Sequence, residues 1–378
     1  LLTFSFSSLA FFSTALVSSS TAAPDTVDRA GSVRDGETLV SAGGWFELGF
    51  FTPGGGSTKR YLCVRFNKGG QEKPIVWVAN REQPLHHSPG VLMFGADGNL
   101  VVLDRLGGTV FWSTELRPDA NGSRVAQLLD SGNLVVRGTD GGVILWQSFD
   151  EPGDTLLPGI RLLVNTETGA SRRLTSWATP GDPSPGKYSY GLEVDKLPRL
   201  VLRESPSTVK FSTGFFNGVR FTGFQPMNAN GYFNSSVVSS GDESYYTDTM
   251  IGDSRLLRLL LDPSGQVQRL LWTEEKGTWS KLWTAPVNCE QYALCGPYGT
   301  CAGDTFPNCR CLRGFRPSSP QEWSLSNGTA GCVRETRLGC GAGDVFQPVT
   351  NVKLPQLDNS STVRMGMSLV ECRERCAG

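Results

Sequence analysis

The sequence reads Asp97-Gly98-Asn99-Leu100-Val101-Val102, and 34 residues later it reads Ser131-Gly132-Asn133-Leu134-Val135-Val136. Trp112 and Trp146 are separated by the same 34 residues, and Trp77 precedes Trp112 by 35. Each Trp ends a short apolar run, which indicates three repeated units. In a unit, a Gly-Asn turn leads into one strand and a Gly-Gly turn into the next. One small sheet per unit cannot bury its own apolar face, so the repeat predicts a threefold β-prism with its Trp-bearing sides around a shared axis.

Length and composition set the class of protein. A chain of 378 residues exceeds a typical single core, which favours two to four domains. The 35 basic and 36 acidic residues form no block of like charge, so we expect no nucleic acid partner. With 45 Gly and 22 Pro, the chain is typical of many short strands joined by turns, and we predict an all-β protein.

A second region, residues 153–283, contains hairpin signals. Alternating Leu residues flank the turn Asp262-Pro263-Ser264-Gly265, which predicts a hairpin because Pro263 would end a helix too early. A further hairpin is predicted to join Trp272 to Trp279 and Trp283.

The start of the chain indicates secretion. Residues 1–17 are uncharged, mostly apolar or hydroxylated, and small residues follow at 20–23. We interpret residues 1–23 as a signal peptide without its first residues, and a short membrane anchor is the alternative. Four N-glycosylation sequons agree with secretion, at Asn121, Asn234, Asn327 and Asn359.

The cysteines concentrate at the other end, since nine of the ten follow residue 288. Six of them are predicted to form disulfides: Cys289, Cys295, Cys301, Cys309, Cys311 and Cys332. A zinc site is the weaker interpretation because no His lies among them. The spacing alone leaves their connectivity open.

Several long motifs, in one order, resemble plant S-domain receptor-like kinases, which are also called G-type lectin or S-locus glycoprotein receptors. They include Trp77-Val78-Ala79-Asn80-Arg81 and Cys295-Gly296-Pro297-Tyr298-Gly299-Thr300-Cys301. Residues 44–51, 146–159, 174–177 and 182–186 match as well. The resemblance covers the whole chain.

This resemblance implies four modules after the signal peptide. They are a bulb-type mannose-lectin β-prism (24–152), a β-rich S-locus glycoprotein domain (153–283), an EGF-like module (284–333) and a truncated PAN module (334–378). Cys340, Cys372 and Cys376 resemble the first PAN cysteines. A transmembrane helix and a cytosolic Ser/Thr kinase are expected beyond residue 378. ATP and Mg would belong to that kinase, and no cofactor or metal is expected in this chain.

The resemblance also bears on individual cysteines. The EGF-like pattern implies the pairs Cys289–Cys301, Cys295–Cys309 and Cys311–Cys332. Cys63 stands where relatives more often have a small residue, and we interpret it as a buried free thiol rather than a reactive one.

Bulb lectins bind mannose through Gln, Asp and Asn at alternate positions of one strand, followed by Val and Tyr at the same spacing. Residues two apart share a face of a strand, so their polar ends converge on one sugar. Only a remnant is present here, Asp97, Asn99 and Val101 in the first copy and Asn133 and Val135 in the second. We therefore favour the interpretation that the two asparagines form turns over the interpretation that they bind mannose.

No motif for catalysis is present in the sequence. It lacks a nucleophile elbow, a zinc-protease helix and a phosphate-binding loop, and its His86 and His87 are adjacent. The carboxylates of Asp150 and Asp154 would suit a glycosidase only at a defined separation, and the resemblance favours turn-making roles for them.

The predicted function is ligand recognition on the extracellular side of the plasma membrane, in pollen recognition or defence for example. The expected partner is an extracellular protein or peptide, or a glycan, with homodimer or co-receptor pairing. The alternative is a secreted soluble mannose-type lectin without a kinase. An extracellular hydrolase is a remote third hypothesis.

Overall fold

A computed structural model describes residues 23–337, apart from short gaps at 55, 71, 87–88, 118–123, 140–141, 224–230, 253–255, 274–276, 291–292 and 303–307. It also describes positions 339, 346–350, 352, 367–371 and 374. The predicted signal peptide, the sequons at Asn121 and Asn359 and the three predicted PAN cysteines lie outside the described residues, except that residue 23 is described.

The first region consists of short antiparallel strands. They are β1 (Thr26–Val27), β2 (Ser32–Arg34), β3 (Thr38–Val40), β4 (Phe46–Phe51), β5 (Lys59–Phe66), β6 (Ile75–Val78), β7 (Leu85–His86), β8 (Gly90–Phe94), β9 (Leu100–Asp104), β10 (Val110–Ser113), β11 (Arg124–Leu128), β12 (Leu134–Gly138) and β13 (Ile144–Gln147). A short 3-10 helix (Ser148–Asp150) follows them.

In the described part of this region the strands form three sheets. Their orders are β3-β4-β5-β6, with β7 also paired to β5, then β10-β9-β8-β2, and β1-β11-β12-β13. Trp77, Trp112 and Trp146 lie on β6, β10 and β13, and their rings meet edge to face with centroids 5.4–5.9 Å apart. The predicted threefold β-prism around a shared Trp axis is confirmed.

The prediction of one small sheet per repeat is confirmed, and two of the sheets gain a strand that the repeat does not show. Strand β1 pairs with β11 and strand β2 with β8, so the start of the chain completes the sheets of the other two repeats. Val27 and Val33, on these strands, are almost fully buried. In this exchange, strands β1, β2 and β3 follow one another in sequence but belong to three different sheets, so the chain itself links the sheets.

The second region is also antiparallel. Its strands are β14 (Thr155–Leu156), β15 (Leu162–Asn165), β16 (Leu174–Thr179), β17 (Asp182–Val194), β18 (Pro198–Glu204), β19 (Val209–Ser212), β20 (Phe233–Ser240), β21 (Glu243–Met250), β22 (Leu257–Leu261), β23 (Val267–Thr273) and β24 (Thr278–Ala285). Their sheet orders are β14-β22-β23-β24, β15-β21-β20 and β16-β17-β18-β19. Both predicted hairpins are present, since Leu261 pairs with Val267 and Thr273 with Thr278.

One apolar core runs through both regions. A single cluster of buried side chains includes Leu62, Leu100 and Leu134 of the prism and Leu202 and Leu261 of the second region. At the junction the Phe66 and Trp279 rings lie 4.9 Å apart. Because burial of apolar area is the main favourable term in folding, this continuity holds the two regions together.

The cysteine-rich segment has little core of its own. It contains a 3-10 helix (Asn288–Glu290), strands β25 (Gly299–Cys301), β26 (Cys309–Cys311), β27 (Phe315–Pro317) and β28 (Cys332–Arg334), and the short helix α1 (Pro320–Ser324). The structure joins the three cysteine pairs that the resemblance implies, Cys289–Cys301, Cys295–Cys309 and Cys311–Cys332. Among the described residues of this segment, the buried apolar side chains are cysteines of these pairs. Cross-links therefore replace a core here.

Candidate functional site

The first sugar-site remnant lies where the chain enters β9. The side-chain amide of Asn99 is buried and donates to Asp97 Oδ2 (2.7 Å) and to the carbonyl of Leu116 (3.3 Å). Its Oδ1 accepts from the hydroxyl of Thr114 (3.1 Å) and the backbone N–H of Leu116 (2.6 Å). An amide side chain has two donor hydrogens and two acceptor lone pairs, so Asn99 has no capacity left for a sugar hydroxyl.

Asp97 is the exposed polar group of this remnant. The side chain and the backbone N–H of Asn99 both donate to its carboxylate and hold its pKa below the usual value. Val101, two residues beyond Asn99, is buried on β9. The first copy therefore presents one carboxylate to solvent rather than a convergent set of groups.

The second remnant repeats part of this arrangement where the chain enters β12. The buried Asn133 donates to Oε1 of Gln147 (2.9 Å), and its Oδ1 accepts from the hydroxyl of Ser148 (3.2 Å) and the N–H of Phe149 (3.2 Å). Val135 is buried as well. The structure thus places the five predicted residues at two separate sites on two sheets.

The two asparagines do more than form a local turn. The turns are closed by backbone bonds from Gly98 to Gly95 (3.0 Å) and from Gly132 to Leu129 (2.9 Å), with φ of 79° at Gly98 and 84° at Gly132. Glycine adopts this left-handed conformation without a steric penalty. The asparagine side chains also reach the end of the Trp strand or the segment that follows it in the same sheet, which is a contact that the turn-making interpretation did not include.

A related bond recurs in all three described sheets of the prism. In each, an oxygen of a side chain located after the Trp accepts the N–H of a buried leucine: Asn80 for Leu62 (2.9 Å), Thr114 for Leu100 (3.1 Å) and Ser148 for Leu134 (3.0 Å). Satisfying a buried N–H avoids a desolvation penalty. These groups therefore maintain the prism, and they are not available to a ligand.

Two cavities lie between the prism and the second region, and Gly159 lines both. The larger, of about 340 Å³, is lined by Phe46, Asp130, Ser131, Pro158, Gly159, Gly252 and residues 248–250. Its volume is within the range of ligand sites, roughly 300–1,000 Å³. We call the pair of cavities the interdomain groove.

Asp248 lines the larger cavity, but it is already paired. Its carboxylate forms a buried ion pair with Arg269 and accepts from the hydroxyls of Tyr246 (2.8 Å) and Ser235 (2.6 Å). Burial and the nearby Asp248 charge raise the pKa of Tyr246. This cluster of paired groups forms part of the wall of the groove.

The smaller cavity, of about 200 Å³, is polar. It is lined by Gln147, Phe149, Asp150, Gly159, Arg161 and Arg172. Arg172 forms an ion pair with Asp150 (3.0 Å), and Gln147 donates to the same Asp150 oxygen (2.9 Å). Asp150 lies in the short 3-10 helix, and its carboxylate also orders side chains of this cavity.

Comparisons with known proteins agree with this architecture. The family model described as D-mannose binding lectin matches residues 74–178, and the model described as S-locus glycoprotein domain matches residues 211–319. The "S-locus-specific glycoprotein S6" of Brassica oleracea is 38% identical over 350 residues, which cover 91% of this chain and 79% of that protein. The chain belongs to the S-domain family of S-locus glycoproteins and G-type lectin S-receptor-like kinases.

The S-domain chain also matches longer relatives. The "Receptor-like serine/threonine-protein kinase SD1-8" of Arabidopsis thaliana is 39% identical over 91% of this chain, and the match covers 40% of that protein. The chain thus spans less than half the length of such kinase relatives. A solved structure titled "Japanese Marasmius oreades lectin" matches 33% of this chain and 90% of that chain at 21% identity, with a TM-score of 0.26. The fold assignment depends on the strand topology and not on that match.

Charged side chains join the two parts of the S-domain chain in contacts that were not predicted from the sequence. Arg81 of the prism donates to the carbonyls of Pro183 (2.9 Å) and Ser176 (2.9 Å). Asp154, for which a turn-making role was predicted, is buried near Arg81 and Arg258. Burial raises the pKa of Asp154 to about 6, although the Thr155 hydroxyl and both arginines favour its charged form. The sequence contained one signal for such contacts, because the motifs at residues 77–81 and 182–186 have charged residues at their ends, Arg81 and Asp182.

Cys63 is fully buried and unpaired, and burial raises the pKa of its thiol to about 12. Across the described ranges, no group of three His, Cys, Asp or Glu residues is placed to hold a metal ion. In the same ranges no helix is long and apolar enough to cross a bilayer.

Proposed function

We propose that this chain is the extracellular recognition region of a plant receptor-like Ser/Thr kinase and that it binds a glycan or glycoprotein in the interdomain groove. Membership in the S-domain family and the matching lectin model support recognition rather than catalysis. In this proposal the chain lies on the outer side of the plasma membrane, and ligand-driven pairing of two chains concentrates the kinases joined to them.

The observation that carries the choice of site is that the amides of Asn99 and Asn133 are engaged inside the prism. Asn99 uses both its donors and both its acceptor positions, and Asn133 donates to Gln147 and accepts from Ser148 and Phe149, whereas the larger cavity is open and of ligand size. Ser131, which replaces the lectin Asp in the second copy, lines this cavity. The second lectin copy therefore contributes to a shared groove rather than forming a mannose pocket by itself.

The test is a glycan and glycoprotein array probed with the secreted chain and two variants. Thr249→Trp, at an exposed position that lines the larger cavity, should abolish binding by filling the space. The matched control Asp97→Ala, at the first remnant, should bind like the wild type. Thermal melts establish that all three proteins are folded.

Loss of binding in Asp97→Ala alone would restore the first lectin remnant as the site. Absence of binding to every glycan and glycoprotein by the folded wild type would contradict the proposed function.

A further inference from the structure

We propose that the smaller cavity binds the carboxylate of an acidic saccharide, such as a hexuronate unit of an oligosaccharide. This inference depends on the proposed function, because it assumes that the groove recognises saccharides. It adds to that function a site and a chemical class of ligand.

Arg161 supplies the first part of the argument. Its guanidinium stacks on the ring of Tyr245, 4.6 Å from the ring centroid, and it forms no ion pair or hydrogen bond with any described residue. Stacking fixes the plane of the group while its N–H donors stay free. A planar fork of free donors matches the two oxygens of a carboxylate.

Arg172 and Asp150 supply the second part. Arg172 is one-third exposed, and the ion pair with Asp150 uses Nη1, which leaves other donors for a ligand. The cavity lining thus contains two guanidinium groups against one carboxylate. The net positive charge favours an anion over a neutral sugar.

Gln147 and Phe149 explain why the anion should be part of a saccharide. Gln147 is fixed because its Oε1 accepts from Asn133 (2.9 Å) and its Nε2 donates to Asp150 (2.9 Å), which connects the cavity to the second lectin remnant. Phe149 adds an apolar face to the otherwise polar lining, and its ring would be 3.6 Å from a Cβ at Gly159. A sugar ring combines an apolar face with hydroxyl groups, which matches this lining. The cavity volume of about 200 Å³ is below the range of drug-sized sites, which is why the proposed ligand group is a single hexuronate unit.

The test is calorimetric titration of the secreted chain with a hexuronate oligosaccharide and with its neutral methyl ester. Arg161→Gln and Arg172→Gln should each weaken uronate binding by roughly tenfold or more, because each removes a charge-assisted bond. Asp150→Asn should strengthen it, because it removes the negative charge of the site and keeps the acceptor oxygen. Arg105→Gln, an exposed arginine that lines neither cavity, is the matched control and should have no effect.

A gain of affinity in Asp150→Asn cannot arise from unfolding, so the pattern of the variants is decisive. Equal binding of the acid and its ester, or unchanged affinity in both arginine variants, would overturn this inference and leave saccharide recognition intact. Competition by a glutamate-rich peptide at the same strength would show that the site reads acidic peptides, which also overturns it. If no saccharide of any kind binds the folded chain, the proposed function itself fails.

Discussion

The role of a polar side chain in this protein depends on the atoms that it contacts. Asn99 and Asn133 have the side chain that bulb lectins use for mannose, yet their amides form hydrogen bonds within the prism. Asp154 has the side chain of a catalytic or turn-forming residue, yet it is buried near a prism arginine and an arginine of the second region. In both cases the partners of the polar atoms, rather than the residue type, decide the role.

Asp154 makes stability depend on pH. Its folded-state pKa of about 6 exceeds the ordinary value of 3.8, so the folded protein holds this proton more tightly than the unfolded chain does. Its contribution to stability is fully present below pH 3.8 and is lost as pH rises through about 6. We expect Asp154→Asn to remove this dependence, which should amount to about 1–3 kcal/mol across that range.

Urea unfolding of the wild type and of Asp154→Asn at several pH values between 4 and 7 measures the effect. The difference in free energy of unfolding, wild type minus variant, should fall as pH rises. A difference that stays constant or rises would show that the carboxyl group keeps its charge when buried.

At the scale of the strand, the exchange of β1 and β2 is the feature on which the prism depends. These strands cover β11 and β8, which would otherwise be open sheet edges. An exposed edge carries unpaired N–H and carbonyl groups and pairs readily with other chains. Short strands at the start of the chain thus protect two sheets.

Removing residues 1–34 should therefore cause aggregation. The shortened chain loses the burial of Val27 and Val33, about 1.5–3 kcal/mol each, and exposes both edges. Size-exclusion chromatography with light scattering measures the outcome. A chain that lacks only residues 1–23 is the control and should remain soluble, whereas a soluble, monomeric short form would contradict this role for the two strands.

For the whole molecule, the two β regions and the cysteine-rich segment are stabilised in different ways. The β regions share one apolar core, whereas the cysteine-rich segment depends on three disulfides. Reduction of the disulfides should therefore unfold the cysteine-rich segment and leave the two β regions folded.

Under mild reducing conditions we expect β25–β28 of the cysteine-rich segment to lose protection from hydrogen exchange while β5, β12 and β23 keep it. Each disulfide is worth roughly 2–4 kcal/mol, and the buried apolar side chains of the described segment are themselves cysteines. Exchange measured by mass spectrometry resolves the two parts. Simultaneous loss of protection in β12 would show that the segment supports the prism, and the buried thiol of Cys63 should stay unmodified by an alkylating reagent as an internal control.

Local and repeating features of the sequence were enough to predict the class of fold. The 34-residue repeat with its Trp positions predicted the prism, and the turn at residues 262–265 predicted a hairpin of the second region. These features can be recognised in a single sequence because strand alternation, turn residues and repeats involve residues that are close together in the chain. The long motifs then predicted the family.

Only the tertiary structure decided which polar groups remain free for a ligand. The exchange of β1 and β2, the Arg81 contacts with the second region and the interdomain groove join residues up to about 200 positions apart, such as Phe46 and Gly252. Such contacts depend on how whole sheets pack, and packing leaves no periodic signal in one sequence. The sequence therefore determined the prism and its repeats, and the packing of its sheets against the second region determined where a ligand can bind.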